Sequence, residues 1–159
     1  MEVAAAGFAV LLIAVVAAAT LWWRVARRGA GLEIATASAL AFGAGLVTVG
    51  LPAGHLAGVA ITELRRSPRV YEFRVYALVL LGAVLGVLGT RLAVAAVGVG
   101  RGERAAWRNG VTAAVALLVV NVPLAPIQGF AVALSIFACI GLVPLLAVSG
   151  RVGRAQNGN

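Results

Sequence analysis

Four long apolar stretches, separated by short segments that hold nearly all the charged residues, constrain the fold of this 159-residue chain more than any other feature. The stretches cover residues 3–23, 32–62, 75–100 and 109–150. A helix needs only about 20 apolar residues to cross the hydrocarbon core of a bilayer. Each stretch is long enough to cross or enter a membrane, and the sequence therefore predicts an integral membrane protein.

The composition agrees with this prediction. The chain is 62% hydrophobic and 11% charged, with a mean hydropathy of +1.05, whereas a soluble domain has about 25% charged residues. The net charge of +8 comes from 13 arginines against five glutamates, since the chain contains no lysine and no aspartate. The arginines border the apolar stretches, so membrane topology and anionic lipid headgroups explain them better than nucleic acid does. We expect the lipid bilayer as a partner and no nucleic acid.

The last apolar stretch is too long for a single crossing. Residues 109–150 would form roughly 60 Å of helix at 1.5 Å per residue, which is about twice the hydrocarbon thickness. The turn-forming residues inside it predict a helical hairpin, and the chain then has about five transmembrane helices. The predicted helices are 3–23, 32–62, 75–98, 105–122 and 127–148. The sequence thus predicts a single all-α transmembrane domain over 1–150, with short loops and a polar tail at 151–159.

The second predicted helix, 32–62, contains Pro52 near its middle. Proline removes a backbone donor and clashes with the preceding turn, so we expect a kink there. A re-entrant segment is the alternative, because the part after Pro52 is too short to span a membrane alone.

The arginines also predict an orientation, because positive residues accumulate in cytoplasmic loops. Five crossings with the N-terminus outside put eight arginines on the cytoplasmic side and four outside. Trp22 and Trp23, followed directly by Arg24, suit the cytoplasmic headgroup level. If residues 32–62 were re-entrant, the ratio would be seven to five. We therefore predict a multi-pass cell-membrane protein with its N-terminus outside and its C-terminus in the cytoplasm.

Few polar residues lie within the apolar stretches, and these are the candidates for an intramembrane site. His55 is either a proton-relay or ligand-contacting imidazole, or a neutral side chain that donates to a carbonyl freed by Pro52. Arg91 either extends toward the inner interface or pairs with an anion, and Glu33 is then a possible partner. Asn121, like Gln128, is interpreted as a turn residue, with a pore-lining role as the alternative.

Glycines recur at four-residue spacing on two predicted helices. Gly50, Gly54 and Gly58 lie on the second helix, and Gly82 and Gly86 lie on the third. Such faces let helix backbones approach closely, and van der Waals contact drives helix association in lipid. We predict that these glycines mediate helix packing, either within the chain or with another chain.

No catalytic set of residues is evident. The chain has one histidine, one cysteine and no aspartate or lysine, so the usual triads, thiolate metal sites and phosphate loops are missing. We expect neither enzymatic activity nor a cofactor or metal. The sequence favours a structural or accessory subunit that packs against other membrane subunits or itself. The alternative is a small, oligomeric transporter or channel that uses His55 and Arg91.

Overall fold

The computed structural model of this chain describes residues 2–66, 72–122, 143–145 and 147–148, and these residues are helical nearly throughout, with no strand among them. Helix α1 covers Glu2–Arg27, and α2 covers Leu32–Thr48. A π-helical turn, Val49–Ala53, joins α2 to α3, Gly54–Arg66. Helices α4 and α5 cover Glu72–Val99 and Arg104–Asn121. The all-helical prediction is confirmed for the described residues.

Among the described residues, three helical segments are long and apolar enough to cross a membrane: Gly7–Arg27, Leu32–Arg66 and Phe73–Val99. They correspond to the first three predicted spans, and α5 agrees with the fourth predicted helix to within a residue. Most of the predicted helix 127–148, and the whole tail 151–159, lie outside the described residues. The number of five crossings therefore stays a prediction.

Helix α1 continues to Arg27, beyond the predicted end at residue 23, and α3 continues to Arg66. Arginine has a high helix propensity, so the charged flank of an apolar helix extends the helix without interruption. The turn after α1 is set by Gly29, which has a φ of 78° that favours glycine. The amide of Gly29 donates to the carbonyl of Ala26 at 3.1 Å, which closes the helix end.

Pro52 lies inside the π-helical turn between α2 and α3. Proline has no amide hydrogen, and a π turn is a local widening that redistributes the backbone hydrogen bonds around it. The helical geometry continues from Leu32 to Arg66 on both sides of this turn. The position of the predicted irregularity is therefore found, while a kink angle stays a prediction.

Helix α4 is the centre of the bundle, because it packs against α2, the π turn, α3 and α5. It runs antiparallel to α2 and α3: Gly45 lies beside Gly89, and Ala53 lies beside Gly82. Helix α1 packs against the outer side of α2. The core is made largely of alanine and leucine, with Ala41, Leu85, Leu92, Ala96 and Leu117 fully buried.

A tight connection turns the chain from α4 into α5. Gly102 has a φ of 79°, and the amide of Glu103 donates to the carbonyl of Gly98 at 3.1 Å while that of Gly102 donates to Val99 at 2.9 Å. These two bonds form a Schellman motif, which satisfies carbonyls at the end of α4. Helix α5 consequently folds back along α4 and carries Asn109 toward the side of α4 that holds Arg91.

Candidate functional site

Helices α2 and α4 approach each other closely at Gly45 and Gly89. A Cβ atom on Gly45 would lie 2.6 Å from the Gly89 carbonyl oxygen and 2.8 Å from the Ala93 amide nitrogen. Real Cβ contacts essentially never fall below 3.0 Å, so the two backbones approach this closely only without side chains. The four-residue glycine spacing did not single out this pair. The sequence feature that could have indicated this contact is the pair of small residues Ala41 and Gly45, which lie four residues apart on one face of α2.

The predicted packing glycines fall into two groups. A side chain on Gly50 would overlap Val10 on α1, and one on Gly82 would lie 3.4 Å from the Ala53 carbonyl oxygen and from the Leu56 Cβ. An added Cβ on Gly86 would lie 3.8 Å from the Ala53 Cβ. Gly54 and Gly58, by contrast, have no described residue within 4 Å of an added Cβ. We call Gly54, Gly58 and the exposed Thr62, which share one side of α3, the α3 small-residue face.

Polar side chains within the described helices mostly bond to backbone carbonyls. All six threonines donate to the carbonyl four residues earlier in their own helix, at 2.7 to 2.8 Å. Ser38 is different, because its hydroxyl donates across the bundle to the carbonyl of Ala96 on α4 at 2.6 Å. Such bonds across helices add specificity to packing in lipid. Sequence reasoning did not give Ser38 this role, although a small polar residue in an alanine-rich span is a known signal for it.

Arg91 lies on α4 and lines a cavity of about 590 Å³ between α4 and α5. The same cavity is lined by Arg101 and Glu103 at the connection and by Asn109 on α5. The guanidinium Nη1 of Arg101 lies 3.9 Å from Glu103 Oε1, and both side chains are more than half exposed. Arg91 forms no ion pair with any residue that the structure describes. The sequence singled out Arg91, but it did not predict the neighbours that form this cavity.

Glu33 and Arg91 are not brought together. Ser38 lies level with Ala96, and antiparallel packing places Glu33 five residues from that level toward the end of α4. Arg91 lies five residues from it in the opposite direction, so the two differ by about 15 Å along the helices. Glu33 instead lies in the first turn of α2, where a carboxylate complements the helix dipole. It lines a smaller cleft beside Pro144 and Val148.

His55 and Asn121 occupy unlike environments. His55 is exposed on α3, next to Gly54, at the level of Gly82 on α4. Arg91 lies nine residues further along α4, about 13 Å away along the axis, and His55 does not line the Arg91 cavity. Asn121 is only 1% exposed at the end of α5, and its Oδ1 accepts no hydrogen bond from the described residues. The four predicted polar residues therefore do not form one shared site.

Aromatic side chains mark the end of the bundle where α1 finishes. The Arg27 guanidinium lies 3.8 Å above the Trp23 ring, an arrangement that suits the headgroup level. Trp107 on α5 donates from Nε1 to the carbonyl of Leu145 at 2.6 Å. This bond ties the first turns of α5 to the described part of the segment that follows it.

Metal coordination finds no support among the described residues. No group of three or more His, Cys, Asp or Glu side chains lies close enough there to hold an ion.

No family model matches the sequence, and neither a curated protein nor a solved structure shows significant similarity to the chain. The inference of function therefore depends on the geometry of the chain itself.

Proposed function

We propose that this protein is a multi-pass membrane protein that acts as a structural or accessory subunit and docks a membrane partner on the α3 small-residue face. The observation that carries the proposal is the contrast between its glycines. Gly45 and Gly89 are already used in contact between helices, whereas no residue in the described part of the chain covers Gly54 or Gly58. Glycines at four-residue spacing let a second helix approach closely in lipid. The partner is another membrane subunit or a second copy of the chain.

The polar inventory supports a non-catalytic role. The threonine hydroxyls bond within their own helices, and the hydroxyl of Ser38 joins α2 to α4. His55 and Arg91 lie in different parts of the bundle. The described polar groups thus mainly satisfy backbone carbonyls and fix helix contacts.

The proposed setting is the cell membrane, with five crossings, the N-terminus outside and the C-terminus in the cytoplasm. The turn after α1 and the turn after α4 lie at the same end of the bundle, because Gly100 lies against Val25 and Ser38. Both turns are rich in arginine, and positive residues accumulate in cytoplasmic loops. Residues 127–148 supply the fifth crossing in this arrangement.

The test is co-purification of the full chain from its source membrane in mild detergent, with the native mass measured. We expect a stable, stoichiometric partner. The double variant Gly54→Leu and Gly58→Leu should release it, because two leucines would block close approach at this face. The matched control is Ala83→Leu, which adds a leucine at an exposed position of α4. Migration of the wild-type chain alone would contradict the proposal.

Transport of an ion or small solute is the second candidate, and the cavity beside Arg91 is the observation that favours it. A polar path lined by few charged groups is typical of small channels and transporters. The test is flux of labelled ions and solutes in proteoliposomes. Flux that Arg91→Ala or His55→Ala abolishes would support transport, and a leak equal to that of protein-free vesicles would exclude it.

A further inference from the structure

The cavity between the second half of α4 and the first turns of α5 has both polar and apolar walls. Its polar lining residues are Thr90, Arg91, Arg101, Glu103 and Asn109. The Thr90 hydroxyl donates to the carbonyl of Gly86 at 2.8 Å, so its hydrogen is already used. The side-chain donors that face the cavity are therefore the two guanidinium groups and the amide of Asn109.

The charged side chains that line the cavity in the described part of the chain, Arg91, Arg101 and Glu103, leave an excess of one positive charge. Arg101 lies 3.9 Å from Glu103 and largely offsets its carboxylate. The Glu103 side chain also lies against α4, with Oε2 at 3.0 Å from the position of a Cβ on Gly98. Arg91 has no acidic partner among the described residues. The cavity is thus electrostatically suited to an anion that contacts Arg91.

Arg91 lies deep enough along the apolar helix α4 that its guanidinium group needs a compensating charge. Arg91 lies eight residues before the end of α4 at Val99, about 12 Å along a helix that is apolar enough to cross a membrane. A guanidinium within the hydrocarbon region is costly unless it is paired or extends to the interface. Arg101, which follows the end of α4, lines the same cavity. The cavity therefore extends along α4 from the level of Arg91 to the end of the helix.

The remaining walls are apolar and come from Val94, Ala95, Val97, Ala105 and Ala106. A ligand that suits this lining has an anionic group near the arginines and a hydrocarbon part beside the alanine and valine side chains. Phosphate oxygens match the planar, bidentate geometry of arginine. Basic pockets between transmembrane helices bind anionic lipid headgroups in this way. We propose that this cavity binds an anionic phospholipid, with its phosphate group on Arg91.

The experiment uses the purified full chain in vesicles, without any partner, so its result is independent of the proposed subunit role. Spin-labelled phosphatidylglycerol and phosphatidylcholine serve as probes, and the immobilised fraction of each gives their relative association with the protein. We expect a preference for phosphatidylglycerol. Arg91→Gln should lower this preference about fivefold to tenfold, because it removes the positive charge that favours a net anionic headgroup over a zwitterionic one with the same phosphate.

The matched control is Arg24→Gln. Arg24 is exposed near the end of α1, at the same end of the bundle, and it does not line the cavity. Its removal changes the net charge equally but should change the lipid preference less than twofold, roughly the effect expected for one screened surface charge. Equal losses in Arg24→Gln and Arg91→Gln would show attraction to surface charge only and would overturn the proposal.

A second variant tests the cavity without changing any charge. Ala105 is exposed and lines the cavity, so Ala105→Phe fills space there without disturbing the buried core. The phosphatidylglycerol preference should fall in this variant while its unfolding midpoint stays that of the wild type. An unchanged preference would overturn the proposal.

Excess inorganic phosphate separates a lipid from a soluble anion. We expect no displacement of spin-labelled phosphatidylglycerol, because phosphate lacks the acyl chains that contact the apolar walls. Displacement by inorganic phosphate alone would assign the cavity to a soluble anion and would overturn the lipid proposal.

Discussion

The backbones of Gly45 on α2 and Gly89 on α4 meet so closely that a Cβ atom on either glycine would collide with the carbonyl oxygen of the other. The distances would be 2.6 Å from Gly45 to the Gly89 oxygen and 2.9 Å from Gly89 to the Gly45 oxygen. This reciprocal contact sets the separation of α2 and α4. It thereby also allows Ser38 to reach the carbonyl of Ala96.

Gly45→Ala should destabilise the protein. The new methyl group would meet the backbone of Gly89 and Ala93, which cannot move away as a flexible side chain does, so α2 and α4 must separate. Overpacking of this kind costs about 1–3 kcal/mol. The free energy of unfolding in detergent, measured by denaturant titration, should fall by that amount.

Gly54→Ala is the matched control for this substitution. An added Cβ at Gly54 meets none of the described residues within 4 Å, so we expect no loss in the free energy of unfolding. Similar losses for Gly45→Ala and Gly54→Ala would mean that the α2 and α4 contact does not limit stability.

Ser38→Ala should have a smaller effect. It removes the hydrogen bond to the Ala96 carbonyl, but that carbonyl keeps the amide of Gly100 as a partner at 3.1 Å. Hydrogen bonds between membrane helices contribute about 0.6 kcal/mol on average, and we expect a loss of this size in the free energy of unfolding. Thr20→Ala, which removes a bond within α1, should leave it unchanged. A Ser38→Ala variant as stable as the Thr20→Ala control would contradict this role.

Trp107→Phe should loosen the contact between α5 and the segment around Leu145. The substitution keeps an aromatic ring but removes the donor to the Leu145 carbonyl, which costs about 1 kcal/mol. Hydrogen exchange at residues 143–148, followed by mass spectrometry, should become faster. Trp22→Phe is the control, since the bond from Trp22 to Thr36 is exposed and 3.3 Å long. Faster exchange at these residues in both variants would argue against a specific role for Trp107.

The position of the turns predicts which sites share a side of the membrane. On a Cys139→Ser background, we expect a membrane-impermeant maleimide to label Ala30→Cys and Arg104→Cys from the same side. Arg66→Cys, at the far end of α3, should be labelled from the other side. The physical reason is the contact of Gly100 with Val25, which holds the ends of α1 and α4 together. Labelling of Ala30→Cys and Arg104→Cys from opposite sides would exclude this arrangement.

Much of the helical architecture follows from local sequence. The apolar stretches are long enough to cross a bilayer, and arginines or glycines flank nearly every helix end. Pro52 indicated where α2 would lose regular geometry, because a missing amide hydrogen acts locally. The predicted helix ends at residues 23 and 62 fall four residues short of the observed ends at Arg27 and Arg66. The reason is that hydropathy falls at an arginine, whereas helix propensity does not.

The candidate site was less predictable. Arg91 was recognised as a charge that needs compensation, but its surroundings come from Arg101, Glu103 and Asn109, which lie 10 to 18 residues later. The Schellman turn at Gly102 folds α5 back and brings them to Arg91. The spacing of residues along α4 does not indicate which residues of α5 will pack beside it.

Local sequence is enough to predict the apolar helices of the described residues and the charges at their ends, because hydrophobic length and backbone hydrogen bonding act within each segment. Which glycines pack against a neighbouring helix depends instead on the tertiary fold. Gly45 and Gly54 are both small residues in apolar helices, yet Gly45 lies under a neighbouring backbone and Gly54 is left uncovered by the residues that the structure describes. The direction in which a residue faces depends on how helices cross, and that crossing is set by contacts between distant parts of the chain.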